Sequence, residues 1–367
     1  MSMKQRLLIV IGTRPEAIKL APVVLEAQRR SDEFAVRIVR SSQHRDMLDQ
    51  ALADFGLSAE VDLDIMRPNQ DLVQITTDAL RGLYDTIAAE KPDWVIVQGD
   101  TTTSFVGALA AFYCRVRVTH VEAGLRTYDK QQPFPEEVNR CLTAQVTDLH
   151  CAPTAAAREN LLREGIAPHR IFVTGNTAID ALLFTLRHAP AVAVTTDPVL
   201  LLTAHRRENH GEPMEHICAA VLELLARYPR LTVRYPVHPN PRVGATVFEK
   251  LSNQPRVTLS APLDYRAFVL AMNEARIILT DSGGVQEEAP SLGKPVLVLR
   301  NTTERPEAVQ AGTARLIGTD TDRIVREVSQ LLDDHEHYAS MARASNPYGD
   351  GRAAGRILDA IASFGAG

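Results

Sequence analysis

Short apolar runs rich in β-formers alternate with longer amphipathic stretches from one end of this chain to the other, and few folds accept that rhythm. In the first half the apolar runs fall at residues 7–11, 35–41, 93–97, 116–120, 149–152 and 171–174. Between them, residues 71–88 place Leu72, Ile75, Leu80, Leu83 and Ile87 on one helical face, and Lys91-Pro92 stops that helix before the next strand. The second half repeats the pattern at 199–203, 231–237, 257–260, 277–280, 296–299 and 314–317. Its clearest helix begins near Pro213 and keeps Met214, Ile217, Val221, Leu225 and Tyr228 in register. Strands alternating with helices in this way predict parallel sheets joined by right-handed crossovers, an α/β fold.

With 367 residues the chain exceeds one ordinary core and fits two domains. Residues 188–198 are rich in Pro, Ala and Thr, carry no helical stripe, and read as the loop entering the second domain. The breaker cluster Asn346-Pro347-Tyr348-Gly349-Asp350-Gly351 precedes a last amphipathic stretch with Ile357, Leu358, Ile361 and Phe364. A helix placed after such a turn is expected to leave its own domain and pack on the first. The expected domains are therefore 1–175 with the C-terminal helix 352–367, and 176–351 as the second.

A formal net charge of -5 argues against a general nucleic-acid binder. The apolar run at 7–11 is too short for a signal-peptide core, and no later stretch reaches membrane length without a charge. Cys114, Cys141, Cys151 and Cys218 are scattered and form no C-x-x-C pair. His335-Glu336-His337 lies in a polar helical run and reads as a solvated face, not a metal site. The expectation is a reduced, cytoplasmic protein with no metal, no cofactor and no membrane contact.

In open parallel sheets ligands bind beyond the carboxyl ends of the strands. Polar, titratable or Gly-rich residues collect there in both halves. They are Gly12-Thr13-Arg14-Pro15-Glu16, Gln98-Gly99-Asp100-Thr101, Val121-Glu122-Ala123-Gly124, Ala204-His205-Arg206-Arg207-Glu208, His238-Pro239 and Asp281-Ser282-Gly283-Gly284. The first of these, alone, fits a helix start with a surface arginine. Neither G-x-G-x-x-G nor G-x-x-x-x-G-K-[ST] occurs, so NAD dependence and a Walker-type loop lose support. The octet from Asp281 to Glu288 suits a diphosphate at a helix N-terminus, and fits a capped, tightly packed helix equally well. Asp100, Glu122, Glu136 and His205 are individually compatible with caps and surface groups. As a set they point to acid/base chemistry beside an anionic leaving group.

Long blocks of the chain resemble the bacterial non-hydrolysing UDP-N-acetylglucosamine 2-epimerases. The blocks include GTRPEAIKLAP at 12–22, QHRDMLDQ at 43–50, GDTTT at 99–103, HVEAGLRT at 120–127 and PEEVNR at 135–140. They continue with GNTAID at 175–180, TAHRRE at 203–208, YPVH at 235–238, TDSGGVQEEAPSLGKP at 280–295, TTERPEA at 302–308 and NPYGDGR at 346–352. The resemblance implies two Rossmann-like domains facing across a cleft, the GT-B architecture, with a C-terminal helix returning to the first. It also implies reversible C2 epimerisation of UDP-GlcNAc to UDP-ManNAc, by anti elimination of UDP through 2-acetamidoglucal and re-addition. The product would supply ManNAc units for cell-surface polysaccharide.

By the same resemblance, Asp100, Glu122, Glu136 and His205 match the catalytic positions. Arg14, Lys19, His205, His238, Arg305 and the Ser282-Gly283-Gly284 helix start match substrate contacts. Phe268 matches the uracil contact and Glu288 the ribose contact, while a homodimer is expected because family members are commonly dimers. Gln43 and Gln70 match a second, activating UDP-GlcNAc site. Asp46 and Asn69 stand where activated members carry glutamine and arginine. An added acid and a lost cation both oppose an anionic ligand, so activation by substrate is expected to be weak or absent. A sigmoidal rate curve abolished by mutating Gln43 would contradict that. The competing readings are a 2-epimerase for UDP-diacetamido uronic acids, a glycosyltransferase of the same architecture and a sugar-nucleotide-binding regulator.

Overall fold

A computed structural model describes residues 4–41, 45–67, 70–190 and 197–364. The chain forms two compact units, Met1–Phe184 with Tyr348–Gly367, and Thr185–Pro347.

The first unit runs β1 (Gln5–Ile11), α1 (Arg14–Arg29), β2 (Phe34–Arg40), α2 (Arg45–Ala53), β3 (Val61–Asp62), α3 (Leu72–Glu90), β4 (Trp94–Gln98) and α4 (Thr102–Tyr113). It continues through β5 (Arg117–Val121), α5 (Glu136–Val146), β6 (Leu149–Ala152), α6 (Ala155–Arg163), β7 (Ile171–Val173) and the start of α7 (Thr177–Arg187). Its sheet has the order β3-β2-β1-β4-β5-β6-β7 with every pair parallel. The central strands are buried along their length, as the near-continuous apolar runs LLIVI and WVIV require when helices cover both faces.

The second unit runs β8 (Val199–Thr203), α8 (Glu212–Arg227), β9 (Thr232–Pro236), α9 (Pro241–Leu251), β10 (Val257–Ser260), α10 (Tyr265–Glu274), β11 (Ile277–Thr280) and α11 (Gly283–Glu288). Then come β12 (Val296–Val298), α12 (Pro306–Gln310), β13 (Ala314–Leu316), α13 (Thr321–Asp333) and α14 (His335–Ala342). Its parallel sheet is ordered β10-β9-β8-β11-β12-β13, the same winding as the first. The helical face expected near Pro213 is α8, whose Met214, Ile217, Val221 and Leu225 are buried in this unit's core. Both units are thus doubly wound Rossmann-like sheets, as the alternation predicts.

The last helix, α15 (Ala353–Ser363), belongs to the first unit and packs against α1. Its N-cap residue makes no side-chain cap bond. Asp180 of α7 replaces it, its buried carboxylate accepting from the backbone N–H of Ala353 at 3.1 Å and Ala354 at 2.9 Å. The N–H of Asn176 also donates to the carbonyl of Tyr348 at 2.7 Å. Farther along, Phe364 meets Trp94 edge-on at 5.2 Å, and Arg30 pairs with Asp359 at 2.7 Å. These contacts tie most of α7 to the first unit, so the chain divides at Phe184/Thr185 and Pro347/Tyr348, beside the sequence-based bounds of 175/176 and 351/352.

Among the described residues the one strand that the apolar runs do not announce is β3. Two half-buried residues at a sheet edge are too few for any period to register. Among the described residues no helix is long and apolar enough to cross a membrane.

Candidate functional site

In the first unit β1 and β4 are neighbours although β2 and β3 intervene in sequence, so the winding reverses between them. Loops leaving two such strands diverge and open a crevice at the sheet's carboxyl edge. The turn Gly12-Thr13-Arg14 leaves β1 there, Gly99-Asp100-Thr101 leaves β4, and Glu122 follows the adjacent β5. Gly12 must be glycine, because a Cβ would stand 2.4 Å from Thr103 Oγ1 at the start of α4. Glu122 adopts a left-handed φ of +65°, a strained backbone for a glutamate that aims its side chain at this edge's charged groups.

The three acids expected from sequence are held in three different ways. Asp100 accepts from Arg140 Nη2 at 2.7 Å, and its backbone carbonyl accepts from Asn139 Nδ2 at 3.0 Å. Arg140 is oriented in turn by buried Glu137, 3.4 Å away, whose other oxygen takes the N–H groups of Thr127 and Tyr128. Glu122 is bonded by the Lys19 ammonium and by Gln98 Nε2, the latter at 3.0 Å. Glu136 is the first residue of α5, half-buried, with no side-chain partner among the described residues. Arg14 is half-exposed and has no anionic partner among the described residues, which leaves its guanidinium available to an anion.

Beneath these loops His120 is fully buried and donates from Nε2 to the Gly99 carbonyl at 2.7 Å, holding the turn before Asp100. Burial pushes its pKa down to about 4, so the ring is neutral.

The second unit repeats the geometry. Its winding reverses between β8 and β11, and Ala204-His205-Arg206 and Asp281-Ser282-Gly283 leave those strands. Fully buried Asp281 organises both loops. One carboxylate oxygen accepts from the N–H of His205 and of Arg206, each at 2.8 Å, and from Asn209 Nδ2 at 2.9 Å. The other lies 3.1 Å from His205 Nδ1. Burial works against the charge, but the bonds from His205 and Arg206 outweigh it and hold the Asp281 carboxyl below its ordinary range. A carboxylate at Nδ1 leaves His205 Nε2 facing outward for a ligand.

His205 stacks on His238, ring centroids 5.6 Å apart, and both line a pocket of about 190 Å³ together with Phe268, Leu263, Pro262 and Ser282. His238 Nδ1 accepts from the N–H of Asn240 at 3.2 Å, which fixes its tautomer. Flat rings and apolar walls at a sheet's carboxyl edge suit a planar base. Ser282 stands at the N-cap position of α11 without a side-chain cap bond, and Gly283 lets the Arg305 guanidinium approach, 3.0 Å from where a Cβ would be. Arg305 is held at 2.8 Å by buried Glu287, and Glu288 stands one turn beyond Gly284 with Oε1 close to it.

The structure therefore gathers Arg14, Lys19, Asp100, Glu122 and Glu136 at one sheet edge of the first unit. It places His205, His238, Phe268, Ser282, Gly283, Gly284, Glu288 and Arg305 in the second unit. Gln70 bonds the Ile65 carbonyl, Asp78 and the Arg67 N–H, so it secures the segment before α3. Gln43 and Asn69 lie outside the described residues, as does the side chain of Asp46. Among the described residues no group of three His, Cys, Asp or Glu side chains is placed to hold a metal. Sequence reasoning did not single out Glu16, Gln98, His120, Glu137, Asn139, Arg140 or Asp281 as functional. Glu137, Asn139 and Arg140 sit inside PEEVNR, and that block was their only signal.

The sequence model of a family described as UDP-N-acetylglucosamine 2-epimerase matches residues 26–362. A UDP-N-acetylglucosamine 2-epimerase of Salmonella typhimurium is 51% identical over 372 residues, covering 98% of this chain and 99% of that protein. One of Bacillus subtilis is 51% identical over 362 residues, covering 98% and 95%. The crystal structure of UDP-GlcNAc 2-epimerase from Neisseria meningitidis bound to UDP-GlcNAc superposes with a TM-score of 0.87. It is 47% identical and covers 97% of this chain and 99% of its own.

Proposed function

The chain belongs to the UDP-N-acetylglucosamine 2-epimerase family, and from that premise we propose that it interconverts UDP-GlcNAc and UDP-ManNAc. The observation that carries this reading is the trio of acids at the edge of the first sheet. One is paired with an arginine, one with a lysine and a glutamine, and one has no partner among the described residues. Inverting C2 requires removing a proton from one face of the sugar and delivering one to the other, so acids in unlike settings suit it.

In the proposed reaction a carboxylate takes the C2 proton while the C1–O bond breaks and UDP departs with the bonding electrons. This leaves 2-acetamidoglucal, doubly bonded between C1 and C2. A proton then adds to the opposite face of C2 and the β-phosphate oxygen of UDP rejoins C1. Arg14, Lys19, His205 and Arg305 offset the charge gathering on the diphosphate, the role that raises the rate most in such reactions. Phe268 and Glu288 are assigned to the base and the ribose, with His238 beside them.

A cytoplasmic location, a role in surface-polysaccharide supply and a homodimer complete the proposal. For the dimer the support is a set of exposed apolar side chains on α3, α4 and α5, including Val73, Phe112, Tyr113 and Leu142. Light scattering of the purified protein reads it, a monomer mass overturning it.

The chemistry is tested by incubating the protein with UDP-GlcNAc in heavy water without an acceptor. UDP-ManNAc carrying deuterium at C2 is the expected product. Turnover with hydrogen retained at C2 would sink the mechanism.

A further inference from the structure

One carboxyl at the edge of the first sheet has no part in the proposed reaction, yet it is enclosed more completely than the three acids that do. Glu16, the third residue of α1, is 1% exposed. Its Oε2 accepts from the N–H of Gly12 at 2.9 Å and of Thr13 at 2.5 Å. A glutamate at this position that bonds the N-cap N–H is an ordinary capping device. Capping does not explain the other oxygen. Oε1 lies 2.6 Å from both Thr101 Oγ1 and Ser104 Oγ, which belong to the loop after β4 and the helix it opens.

The hydroxyl protons around this carboxyl fall one short of its contacts. Ser104 Oγ also lies 2.6 Å from the backbone carbonyl of Gln98, an oxygen that only accepts. Three short oxygen–oxygen contacts therefore need three protons, and the two hydroxyls supply two. With Ser104 donating to Gln98 and Thr101 donating to Glu16, the contact between Ser104 and Glu16 is left without a hydrogen. A proton on Glu16 Oε1, donated to Ser104 Oγ, completes the set. Burial acts in the same direction, raising the Glu16 pKa against the opposing bonds from Thr101 and the Gly12 N–H.

We propose that Glu16 is a positioning residue of the catalytic edge, held as a neutral carboxylic acid that fastens the turn carrying Arg14 to the loop carrying Asp100. The fastening extends to Glu122, because Gln98 gives its backbone carbonyl to Ser104 and its side chain to Glu122. Neutrality has its own use. A carboxylate in this place would set a negative charge two residues from Arg14, where the diphosphate is assigned. That consequence rests on the proposed function; the protonation state does not.

Infrared difference spectra of the wild-type protein against Glu16→Gln at neutral pH read the state directly. A protonated-carboxyl C=O band that the variant lacks is expected, and carboxylate bands alone overturn the proposal. Steady-state kinetics test the positioning. Glu16→Ala should lower kcat/KM by about 10–100-fold, and the uncharged isostere Glu16→Gln should restore it to within about threefold of wild type. A glutamine variant as impaired as the alanine one refutes the neutral acid. Should the alanine variant fail to fold, the glutamine variant and the spectra still decide. Should the protein turn over no sugar nucleotide at all, the functional reading falls while the infrared result stands.

Discussion

Arg140 and Asp100 show how far a single side chain's surroundings set its chemistry. Arg140 is 9% exposed, reaches Asp100 at 2.7 Å, and is itself aligned by Glu137. A carboxylate that is to act on a carbon-bound proton needs to be fixed before the substrate arrives, and this chain of contacts fixes Asp100. Arg140→Gln should therefore reduce kcat by about 10–100-fold, the loss of one charge-assisted bond, with a smaller change in KM. A variant whose kcat is unchanged would remove Arg140 from the machinery. Asp100, Glu122 and Glu136 were legible in sequence because strand ends and family blocks mark them. Their partners were not, since Arg140 meets Asp100 from 40 residues away and Lys19 meets Glu122 from 103 away. Linear spacing carries no trace of such pairs.

At the scale of elements, helix ends need acceptors or donors, and the chain supplies them from unexpected places. The N-terminus of α15 is closed by Asp180 across the fold rather than by its own N-cap residue. Removing a cap of this kind costs about 1–2 kcal/mol. Asp180→Ala should lower the Tm by roughly 2–8 °C on that loss, and calorimetry checks it. An unchanged Tm would mean that the contacts with α1, Trp94 and Arg30 hold α15 without the cap. That a helix follows the cluster at 346–351 was legible from Ile357, Leu358 and Ile361. That Asp180 would cap it was not, because an aspartate inside GNTAID looks the same whether it faces solvent or a distant backbone.

Across the whole molecule, burial decides how the protein responds to acid. His120 and His150 are register partners on β5 and β6, and both are fully buried. Burial lowers their pKa values to about 4 and about 3, against an ordinary 6.5. Between those values the unfolded chain binds protons that the folded chain refuses. The stability these groups contribute is therefore complete above pH 6.5 and is lost as pH falls toward 4. Each pKa unit corresponds to about 1.4 kcal/mol, so denaturant titrations should find the protein roughly 2–4 kcal/mol less stable at about pH 5 than at about pH 7.5. His150→Leu should flatten that dependence; an equally steep variant would place the acid sensitivity elsewhere.

The sequence by itself determined two α/β units, twelve of the strands and the short blocks that mark the acids and the cations. It could do so because the 2.0 and 3.6 periods of buried side chains are local properties, written into consecutive residues. What the tertiary structure decided is which loops share a crevice and which charges meet there. Strand order sets that: β1 lies beside β4, and β8 beside β11. Glu16 thereby joins the Thr101 loop, and Asp281 joins the His205 loop. Only packing brings those partners within hydrogen-bond distance, and packing is a property of no single stretch of the chain.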